Sequence, residues 1–315
     1  MSLISNSPSL SAWDDSVKAI RLAALIAVPA ALLLNACSGG SNAIGGGGGG
    51  VIGQQANVRF VNAMPGTTSF DIYFQSSGSA APNSPLLSAL AYGIASDFKP
   101  LPTVAGSVIV QTAGQPAPST GNNALASCPV PTFVTNTNYS IVVATANGAI
   151  NCLIYADTNY TGSANQYRFH DASTNANAAI GTTVAHGVGS APGVPGTTTF
   201  AVLGTQQLGN ASIGGAGGAT FTVIGPTTMG TTSNVTFAVG PSSGAATAIA
   251  TTTLDAGALT LPGGTTEPNT AGNNYTLPAG FAGASIYAID CGTGTLPAGT
   301  HCTGGVALIG VFDSH

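Results

Sequence analysis

The sequence predicts an all-β protein, and two observations support this prediction. Charged residues make up only 5% of the 315 residues, and 44 glycines and 19 prolines are spread among segments rich in Thr, Ser and Asn. Such residues favour turns, and Thr also suits strands, whereas the periodic arrays that long helices need are missing after residue 40. Short runs of β-forming residues recur between these turn-forming segments, which is typical of β-sandwiches.

The individual strands are predicted from alternating or apolar runs bounded by turn residues. Residues 57–63 and 69–74 are the first two, separated by a Pro65-Gly66 pair placed as in a type II turn. The other predicted strands are 106–112, 139–144 and 152–156 in the first half, and 198–203, 219–224, 234–239, 285–289 and 306–312 in the second half.

The opening strand pattern occurs twice in the chain. Residues 166–173 resemble residues 57–64, and the arginines of the two segments, Arg59 and Arg168, are 109 residues apart (168 minus 59). A repeat of that length is the size of a domain. We therefore predict two tandem, Ig-like antiparallel β-sandwich domains, over residues 56–162 and 163–315.

The charge of the chain excludes one class of partner. The net charge is −5, and the residues after position 36 contain only three Lys or Arg side chains: Arg59, Lys99 and Arg168. Nucleic-acid binding requires clustered cations that neutralise many phosphates. The sequence therefore predicts no nucleic-acid partner.

An export signal precedes the predicted domains. Lys18 and Arg21 are followed by an apolar run over residues 22–34, which has the length of a signal-peptide core and is short for a bilayer span. The next residues, Leu-Asn-Ala-Cys, end at Cys37 and resemble the lipobox of bacterial lipoproteins, although Asn35 replaces the commoner Ala, Ser or Thr. An ordinary secretory signal is the alternative.

The lipobox resemblance implies a lipid anchor. It implies cleavage after residues 1–36, a diacylglycerol on the thiol of Cys37 and a further acyl chain such as palmitate, because several chains anchor where one is marginal. Ser38 at the next position implies transfer to the outer membrane in double-membraned bacteria. Two acidic residues near the start are unusual in a signal, so initiation at position 17 is an alternative.

A flexible tether is predicted after the lipidation site. Residues 37–55 include six consecutive glycines and cannot pack a core. A flexible coil of this length reaches about 20–25 Å. A phosphate-binding glycine loop would need a preceding strand, a following helix and a lysine, which are missing here.

The first predicted domain resembles a known bacterial family. Val-Arg-Phe-Val-Asn-Ala-Met-Pro-Gly at 58–66 precedes Phe-Asp-Ile-Tyr at 70–73, and Leu-Ala-Tyr-Gly at 90–93 precedes Asp-Phe-Lys-Pro-Leu at 97–101. These motifs are similar to the domain of unknown function 4397, and the second half shares only the opening at 168–173. The resemblance implies a β-sandwich on a secreted or surface-anchored protein, often in tandem copies, and it implies no activity.

The cysteines predict disulfides. Besides Cys37 the chain contains Cys128, Cys152, Cys291 and Cys302. An even number of cysteines in an exported chain favours disulfides, and local pairing would place one in each domain, although three connectivities are possible. A metal site that uses the last two cysteines with Asp290 and His301 is disfavoured, because an adjacent His-Cys pair suits one tetrahedral site poorly. We predict no metal and no cofactor.

One short motif suggests catalysis. Ser242 lies in a G-x-S-x-G pattern, and Asp255 or Asp290 followed by His301 would complete a hydrolase order. A nucleophile elbow requires a helix after the serine, and the Thr-rich residues 245–254 do not predict one. We therefore predict a hairpin turn and no catalytic residues.

Other charged and aromatic residues are assigned mainly structural roles. Arg59 is predicted to form an ion pair with Asp71 across a hairpin, and Arg168 to pair locally with Asp171; a ligand-anchoring arginine is the alternative. Three aromatic residues, Tyr73, Tyr92 and Phe98, offer a platform for sugars or peptides, but packing in the core or at a sheet edge is favoured.

Together these features predict a non-enzymatic, lipid-anchored protein of the cell envelope or surface with a structural, adhesive or binding role. Its expected partners are the membrane, through the lipid on Cys37, and an envelope protein or glycan. Its expected location is extracytoplasmic, at the outer membrane. The alternatives are an extracytoplasmic serine hydrolase that uses Ser242 and an accessory subunit that docks another envelope protein through an exposed strand edge.

Overall fold

A computed structural model describes most of the chain after the predicted tether. The described residues are 54–66, 69–119, 123–146, 148–162, 165–190, 195–209, 221–230, 234–242, 247–266 and 274–314. They all belong to one compact unit. The predicted signal peptide, Cys37 and the tether up to residue 53 lie outside the described residues.

The described residues are mostly strands, with eight in the first half of the chain and eleven in the second. The first half contains β1 (Gln55–Asn62), β2 (Phe70–Ser76), β3 (Leu87–Leu90), β4 (Lys99–Pro102), β5 (Gly106–Thr112), β6 (Ala124–Val130), β7 (Asn138–Ala146) and β8 (Ala149–Asp157). The second half contains β9 (Gln166–Ala172), helix α1 (Thr174–Ile180), β10 (Val184–Gly189), β11 (Thr199–Gln206), β12 (Thr222–Ile224), β13 (Thr227–Thr228), β14 (Thr236–Pro241), β15 (Thr247–Ile249), β16 (Thr252–Asp255), a 3-10 turn (Ala256–Ala258), β17 (Phe281–Asp290), β18 (Cys302–Thr303) and β19 (Val306–Ser314).

These strands form four sheets. The first outer sheet has the order β3-β2-β5-β6, and the first inner sheet has the order β12-β8-β7-β1-β4. The second inner sheet has the order β13-β9-β17-β19-β18, and the second outer sheet has the order β15-β11-β10-β14-β16. Each outer sheet packs on its inner sheet, so the predicted all-β sandwich fold is confirmed.

Both inner sheets are mixed, although the sequence predicted antiparallel sandwiches. Strand β1 pairs with β7 in parallel, and β9 pairs with β17 in parallel. In the first half the chain leaves the inner sheet after β1, adds β4 to the edge of that sheet between the outer strands β3 and β5, and returns at β7 after β6. A crossover of this kind brings the strand back in the same direction, which a two-residue hairpin cannot do.

Each sandwich has its own apolar core. In the first, Phe60 and Ile141 of the inner sheet pack with Ile72 and Val110 of the outer sheet. In the second, inner-sheet residues such as Phe169 and Leu308 pack with outer-sheet residues such as Phe237 and Val239. Complete burial of each such side chain contributes about 1.5–3 kcal/mol.

The two inner sheets also pack against each other, which gives four layers in total. Val61, Val142 and Leu153 of the first inner sheet belong to one buried cluster with Ile289 and Ile309 of the second. Strand β9 is consequently buried along its whole length on both faces. Charged side chains on the inner sheets therefore need partners within the protein, because a buried charge is costly unless it is paired.

The two halves are also joined by a shared sheet. Strand β12 belongs to the second half of the sequence, yet it pairs in parallel with β8 at the edge of the first inner sheet. The predicted boundary between residues 162 and 163 falls between β8 and β9. That the halves are separate folding domains remains a prediction. Within the described ranges, no helix combines the length and the apolar character needed to cross a membrane.

Candidate functional site

A buried polar centre lies between the two inner sheets, where two arginines contact one carboxylate. Arg59 on β1 donates from Nη1 to Oδ1 of Asp313, and Arg168 on β9 donates from Nη2 to Oδ2 at 2.6 Å. The guanidinium carbons lie 4.2 Å from the ring centroid of Phe98 and 4.4 Å from that of Tyr160, respectively. The three ionised side chains are at most 1% exposed, so the centre is closed to solvent.

A second carboxylate completes the charge balance of this centre. Asp157 lies 3.6 Å from Nη1 of Arg168, and its Oδ1 is 2.8 Å from Nε2 of His170. The hydroxyl of Ser140 donates to its Oδ2 at 2.6 Å. Two guanidinium groups thus face two carboxylates, which gives the ionised groups no net charge when the imidazole is neutral.

The two halves contribute equivalent residues to the polar centre. The equivalent sets are Arg59, Ser140 and Asp157 in the first half and Arg168, Ser285 and Asp313 in the second half. In each set the serine is the parallel-strand partner of the arginine, and its hydroxyl donates to the aspartate at 2.6 or 2.7 Å. The repeat found in the sequence at the two arginines therefore extends to a three-residue polar arrangement.

The electrostatics of the centre follow from burial and charge pairing. Burial alone would raise the pKa of Asp313, but attraction to Arg59 and Arg168 more than offsets this, so the pKa lies below its usual range. The pKa of Arg168 is raised well above its usual value, because attraction to Asp313 and Asp157 exceeds the opposing effect of burial. Both aspartates and both arginines are therefore ionised at neutral pH.

The predicted ion pair between Arg59 and Asp71 is wrong. Strands β1 and β2 belong to different sheets and form no hairpin, and Arg59 faces the second inner sheet instead. The carboxylate of Asp71 accepts hydrogen bonds from the backbone N–H groups of Ala89 and Gly114, both at 2.9 Å. Asp71 thus fixes strand β3 and the turn that follows β5.

The predicted local pair between Arg168 and Asp171 is also wrong. Residues three apart in a strand point to opposite faces. Arg168 therefore reaches the carboxylates of Asp157 and Asp313 across the inner sheets, whereas Asp171 bonds to residues of the following helix.

The structure contains two disulfides, Cys128–Cys152 and Cys291–Cys302. They have the local pairing that the sequence favoured. The first links β6 of the first outer sheet to β8 of the first inner sheet. The second occupies the thiols that the metal-site alternative required, and the described residues contain no group of three metal-ligating side chains.

The hydrolase alternative finds no support in the described residues. Ser242 is exposed directly after β14, and the next described segment begins with strand β15 and not with a helix. Asp290 is occupied elsewhere, because its carboxylate accepts hydrogen bonds from Ser173, Thr174 and Asn175. Among the described residues that follow the motif, no helix provides the strand–turn–helix context of a nucleophile elbow.

A surface cleft of about 240 Å³ opens beside the first sandwich. It is lined by Leu87, Ser88, Ala89, Leu90, Ala91, Ile94, Ser96, Asp97, Lys99 and Gly263. Strand β3 is an edge of the first outer sheet and β4 is an edge of the first inner sheet, so the cleft lies at the open side of the sandwich. Gly263, which belongs to the second half of the chain, also lines the cleft.

The three aromatic residues predicted as a possible platform are used for packing. Tyr73 is 2% exposed and Tyr92 is 4% exposed, and the hydroxyl of Tyr92 donates to the backbone oxygen of Asp290 at 2.7 Å. Phe98 is half-buried against the Arg59 guanidinium. They do not form an exposed platform.

Comparison with known sequence families finds a match for the first sandwich. Residues 56–179 match the family described as Domain of unknown function (DUF4397). The match covers 124 of the 315 residues, somewhat less than half of the chain. The resemblance predicted from the sequence is therefore confirmed, and the match continues past residue 162 through β9 and most of α1. Within the polar centre, Arg59, Asp157 and Arg168 lie inside the DUF4397 match, whereas Asp313 lies outside it.

Comparisons with individual proteins add little to the DUF4397 assignment. No curated protein matches the chain. Among solved structures, the crystal structure of CBMbc (family CBM26) from Eubacterium rectale Amy13K in complex with maltoheptaose shows 10% identity. The match covers 78% of this chain and 99% of that chain with a TM-score of 0.21. A likeness at that TM-score supports no inference about fold or ligand.

Helix α1, near the end of the DUF4397 match, is held by two aspartates. Ser173 caps the helix by accepting a hydrogen bond from the N–H of Ala176, and Asp290 accepts hydrogen bonds from the first residues of the helix. Asp171 accepts from the N–H of Ser173 at 3.2 Å and from the side chain of Asn177 at 3.0 Å. Burial raises the pKa of Asp171 to about 7, against the smaller effect of these hydrogen bonds.

The raised pKa of Asp171 predicts a pH-dependent cost. Between the unfolded pKa, about 4, and the folded pKa the native state holds the proton more tightly, so this group lowers the free energy of unfolding as pH rises through that interval. We expect the difference in the free energy of unfolding, Asp171→Asn minus wild type, to rise by about 2 kcal/mol as the pH increases from about 5 to about 8. Urea denaturation of both proteins measures this difference. Burial lowers the pKa of His186 to about 3, which has the opposite effect on stability, but His186 is present in both proteins and its effect cancels in the difference.

The matched control for this prediction is Asp97→Asn, because the carboxylate of Asp97 is exposed. Its stability difference from the wild type should stay constant over the same interval. A pH-independent difference for Asp171→Asn would show that the buried carboxyl is not the source of the effect.

Proposed function

We propose that this chain is a lipid-anchored extracytoplasmic protein, and that its folded part is a non-enzymatic binding module. The signal peptide is removed before Cys37, the lipid on that cysteine holds the protein at the outer membrane, and the glycine-rich tether displays the double sandwich. The partners of this module are an envelope protein, a glycan or a small molecule of the same compartment.

The use of the cysteines carries this proposal. Four of the five cysteines form the two disulfides, and the fifth is the one that ends the lipobox-like motif. Disulfides form and persist mainly in oxidising compartments outside the cytoplasm. Export, the folded part and the anchor therefore account for every cysteine without a catalytic or metal-binding role.

The point of attachment of the tether also supports display. The first described residue, Gln54, accepts a hydrogen bond from the N–H of Thr103 at 3.2 Å, at the exposed edge formed by β1 and β4. The chain thus enters the fold at the exposed Gln54, at the start of β1 and beside the edge strand β4. A tether with a reach of about 20–25 Å holds this edge within range of the membrane surface without requiring contact.

A non-enzymatic role is supported by how the polar groups are used. The buried Arg, Asp, Ser and Tyr side chains of the polar centre bond to one another, and Asp71, Asp171 and Asp290 hold backbone or helix N–H groups. Catalytic acids and nucleophiles need access to a substrate. The closed centre provides no such access.

The anchor is tested by intact mass and membrane fractionation of the native protein beside Cys37→Ala. We expect the mature wild-type mass to start at Cys37 with added diacylglycerol and acyl groups, and both the lipid mass and the membrane association to be lost in Cys37→Ala. Ser38→Ala is the matched control, since it changes the neighbouring residue and keeps the thiol. An unlipidated wild-type protein that is released into the medium would contradict the proposal.

A further inference from the structure

We propose that the cleft between β3 and β4 binds a free α-amino acid with an apolar side chain. This ligand class deepens the proposed binding role and rests on it. The ammonium group of the ligand pairs with Asp97, its carboxylate pairs with Lys99, and its side chain packs on the apolar wall of the cleft.

The two charged residues of the cleft are exceptional in this chain. Among the described Asp, Glu, Lys and Arg side chains, those of Asp97 and Lys99 are the ones with no hydrogen bond or ion pair, and both line the same cleft. Every other such side chain in the described residues is bonded within the fold. A chain that exposes so few charges has therefore placed one of each sign beside one concave surface.

The positions of these charges suit a ligand that carries both signs. Phe98 between them turns inward onto the Arg59 guanidinium, at 4.2 Å from its ring centroid. Successive side chains of an extended segment point to opposite sides, so the side chains of Asp97 and Lys99 both lie on the side opposite to Phe98. A zwitterion satisfies both groups, whereas a neutral sugar would leave an ammonium group without a counter-charge.

Apart from Ser88 and Ser96, the remaining side chains of the lining are apolar, and they limit the size of the ligand. Leu90 is 6% exposed, and Leu87 and Ile94 are half-buried against the first core, so these side chains form a fixed wall. A volume of about 240 Å³ lies slightly below the range of about 300–1,000 Å³ of ordinary ligand pockets. It accommodates a single amino acid with a branched side chain and not an extended chain.

The cleft is held in shape by buried polar contacts. Ala89 has a φ of +55°, which an L-residue rarely adopts, and its N–H donates to the Asp71 carboxylate at 2.9 Å. The hydroxyl of Ser96 accepts from the N–H of Phe60 at 3.1 Å and donates to the backbone oxygen of Asp97 at 2.7 Å. Backbone strain that is maintained by surrounding contacts is concentrated at binding sites.

The test is calorimetric titration of the mature protein in detergent with leucine, N-acetylleucine and leucinamide. N-acetylleucine lacks the ammonium group, and leucinamide lacks the carboxylate. We expect saturable binding of leucine and at least about tenfold weaker binding of each capped compound, since a charge-assisted contact is lost in each case. Glycine should also bind more weakly than leucine, because it lacks the side chain that contacts the apolar wall.

Two variants assign each charge to its partner. Lys99→Met should weaken leucine binding and abolish the preference for leucine over leucinamide, while Asp97→Asn should abolish the preference for leucine over N-acetylleucine. Val134→Thr, at an exposed position outside the cleft lining, should bind like the wild type. Thermal unfolding of the variants confirms that each one is folded.

The absence of saturable leucine binding, equal binding of the three compounds, or binding of glucose in place of leucine would overturn the amino-acid proposal. The lipid anchor is measured separately by mass and fractionation. A protein that is lipidated but does not bind leucine therefore refutes this ligand class and leaves the anchor in place, whereas an unlipidated protein that binds leucine refutes the anchor alone.

Discussion

Replacing Asp313 by alanine is expected to lower the free energy of unfolding by about 3–5 kcal/mol. The Asp313 carboxylate accepts hydrogen bonds from Arg59, Arg168, Tyr160 and Ser285 inside a centre that is closed to solvent. Its removal leaves two buried guanidinium groups with one remaining carboxylate. An uncompensated charge of that kind is among the most destabilising changes a single substitution can make.

Equilibrium denaturation in urea measures this effect, with Asp97→Ala as the matched control. Asp97 has the same side chain in an exposed position without a bonding partner, so its replacement should change stability by no more than about 0.5 kcal/mol. A loss of less than about 1 kcal/mol for Asp313→Ala would mean that the buried arginines are balanced by something other than this carboxylate.

The sign of the pKa shift at Asp313 also predicts resistance to acid. A carboxyl group whose folded pKa lies below its unfolded value contributes stability that is complete above about pH 4 and is lost only as pH falls through the folded pKa. Both Asp313 and Asp157 have lowered pKa values, because pairing with the arginines and His170 offsets burial. The polar centre should therefore remain paired throughout the mildly acidic range.

Local sequence patterns were enough to predict the long strands. Strand β5 has the predicted bounds of residues 106–112, and the predicted strands at 139–144, 285–289 and 306–312 all lie inside β7, β17 and β19. These strands carry continuous β-branched and apolar runs because both of their faces are buried. A pattern of that strength is independent of what the strand pairs with.

Short edge elements could not be predicted in the same way. Strands β3 and β4 are four residues long and contain prolines or a left-handed alanine, and β12 and β13 are shorter still. Their strand conformation comes from the neighbouring strand and not from their own sequence. Helix α1 was missed because its seven residues are held by a cap and by Asp290, which lies 115 residues or more further along the chain.

The polar centre illustrates the same limit for the site. The repeated Arg59 and Arg168 were visible as a pattern, but their shared partner Asp313 is 254 residues from Arg59. Asp71 was the predicted partner of Arg59 because consecutive strands were expected to form a hairpin. An aspartate at or near the end of the last strand of each half, Asp157 in β8 and Asp313 in β19, was the available sequence signal for the correct partners.

The low charge of the chain also has a structural explanation that composition alone did not reveal. The predicted arrangement of two tandem sandwich domains would leave the outward face of every sheet in contact with water. The inner sheets instead pack on each other, so two of the sheet faces that would be wetted in separate domains are buried. The few charges that remain in the described residues are used mainly in pairs or caps, which makes the exposed Asp97 and the half-buried Lys99 more informative than they would be in an average protein.

Removal of both disulfides is expected to cost about 6 kcal/mol, about 3 kcal/mol for each in the chain-entropy model. The paired residues are 24 and 11 positions apart, so the Cys128–Cys152 bond closes the longer loop. It also joins the two sheets of the first sandwich, and both of its cysteines are buried in the first core. Cys128→Ala with Cys152→Ala should therefore be the more destabilising pair, since it also leaves a gap among packed side chains.

Denaturation of the two double variants with and without a reductant separates these contributions. The reductant should destabilise the wild type by about the sum of the two effects, and each double variant by only the contribution of its remaining bond. Cys291 is half-buried and Cys302 is exposed, so their replacement serves as the control for loop closure without core damage. Equal losses for the two pairs would contradict the role assigned to Cys128 and Cys152 in the core.

The size of this effect links stability to location. A total loss of about 6 kcal/mol is comparable with the whole stability of an ordinary domain, about 5–15 kcal/mol. A form of the chain that lacks residues 1–36 and stays in the reducing cytoplasm should therefore accumulate far less folded protein than the exported form. If that form folds with the same stability as the exported one, the disulfides are dispensable, and they no longer argue that the fold belongs outside the cytoplasm.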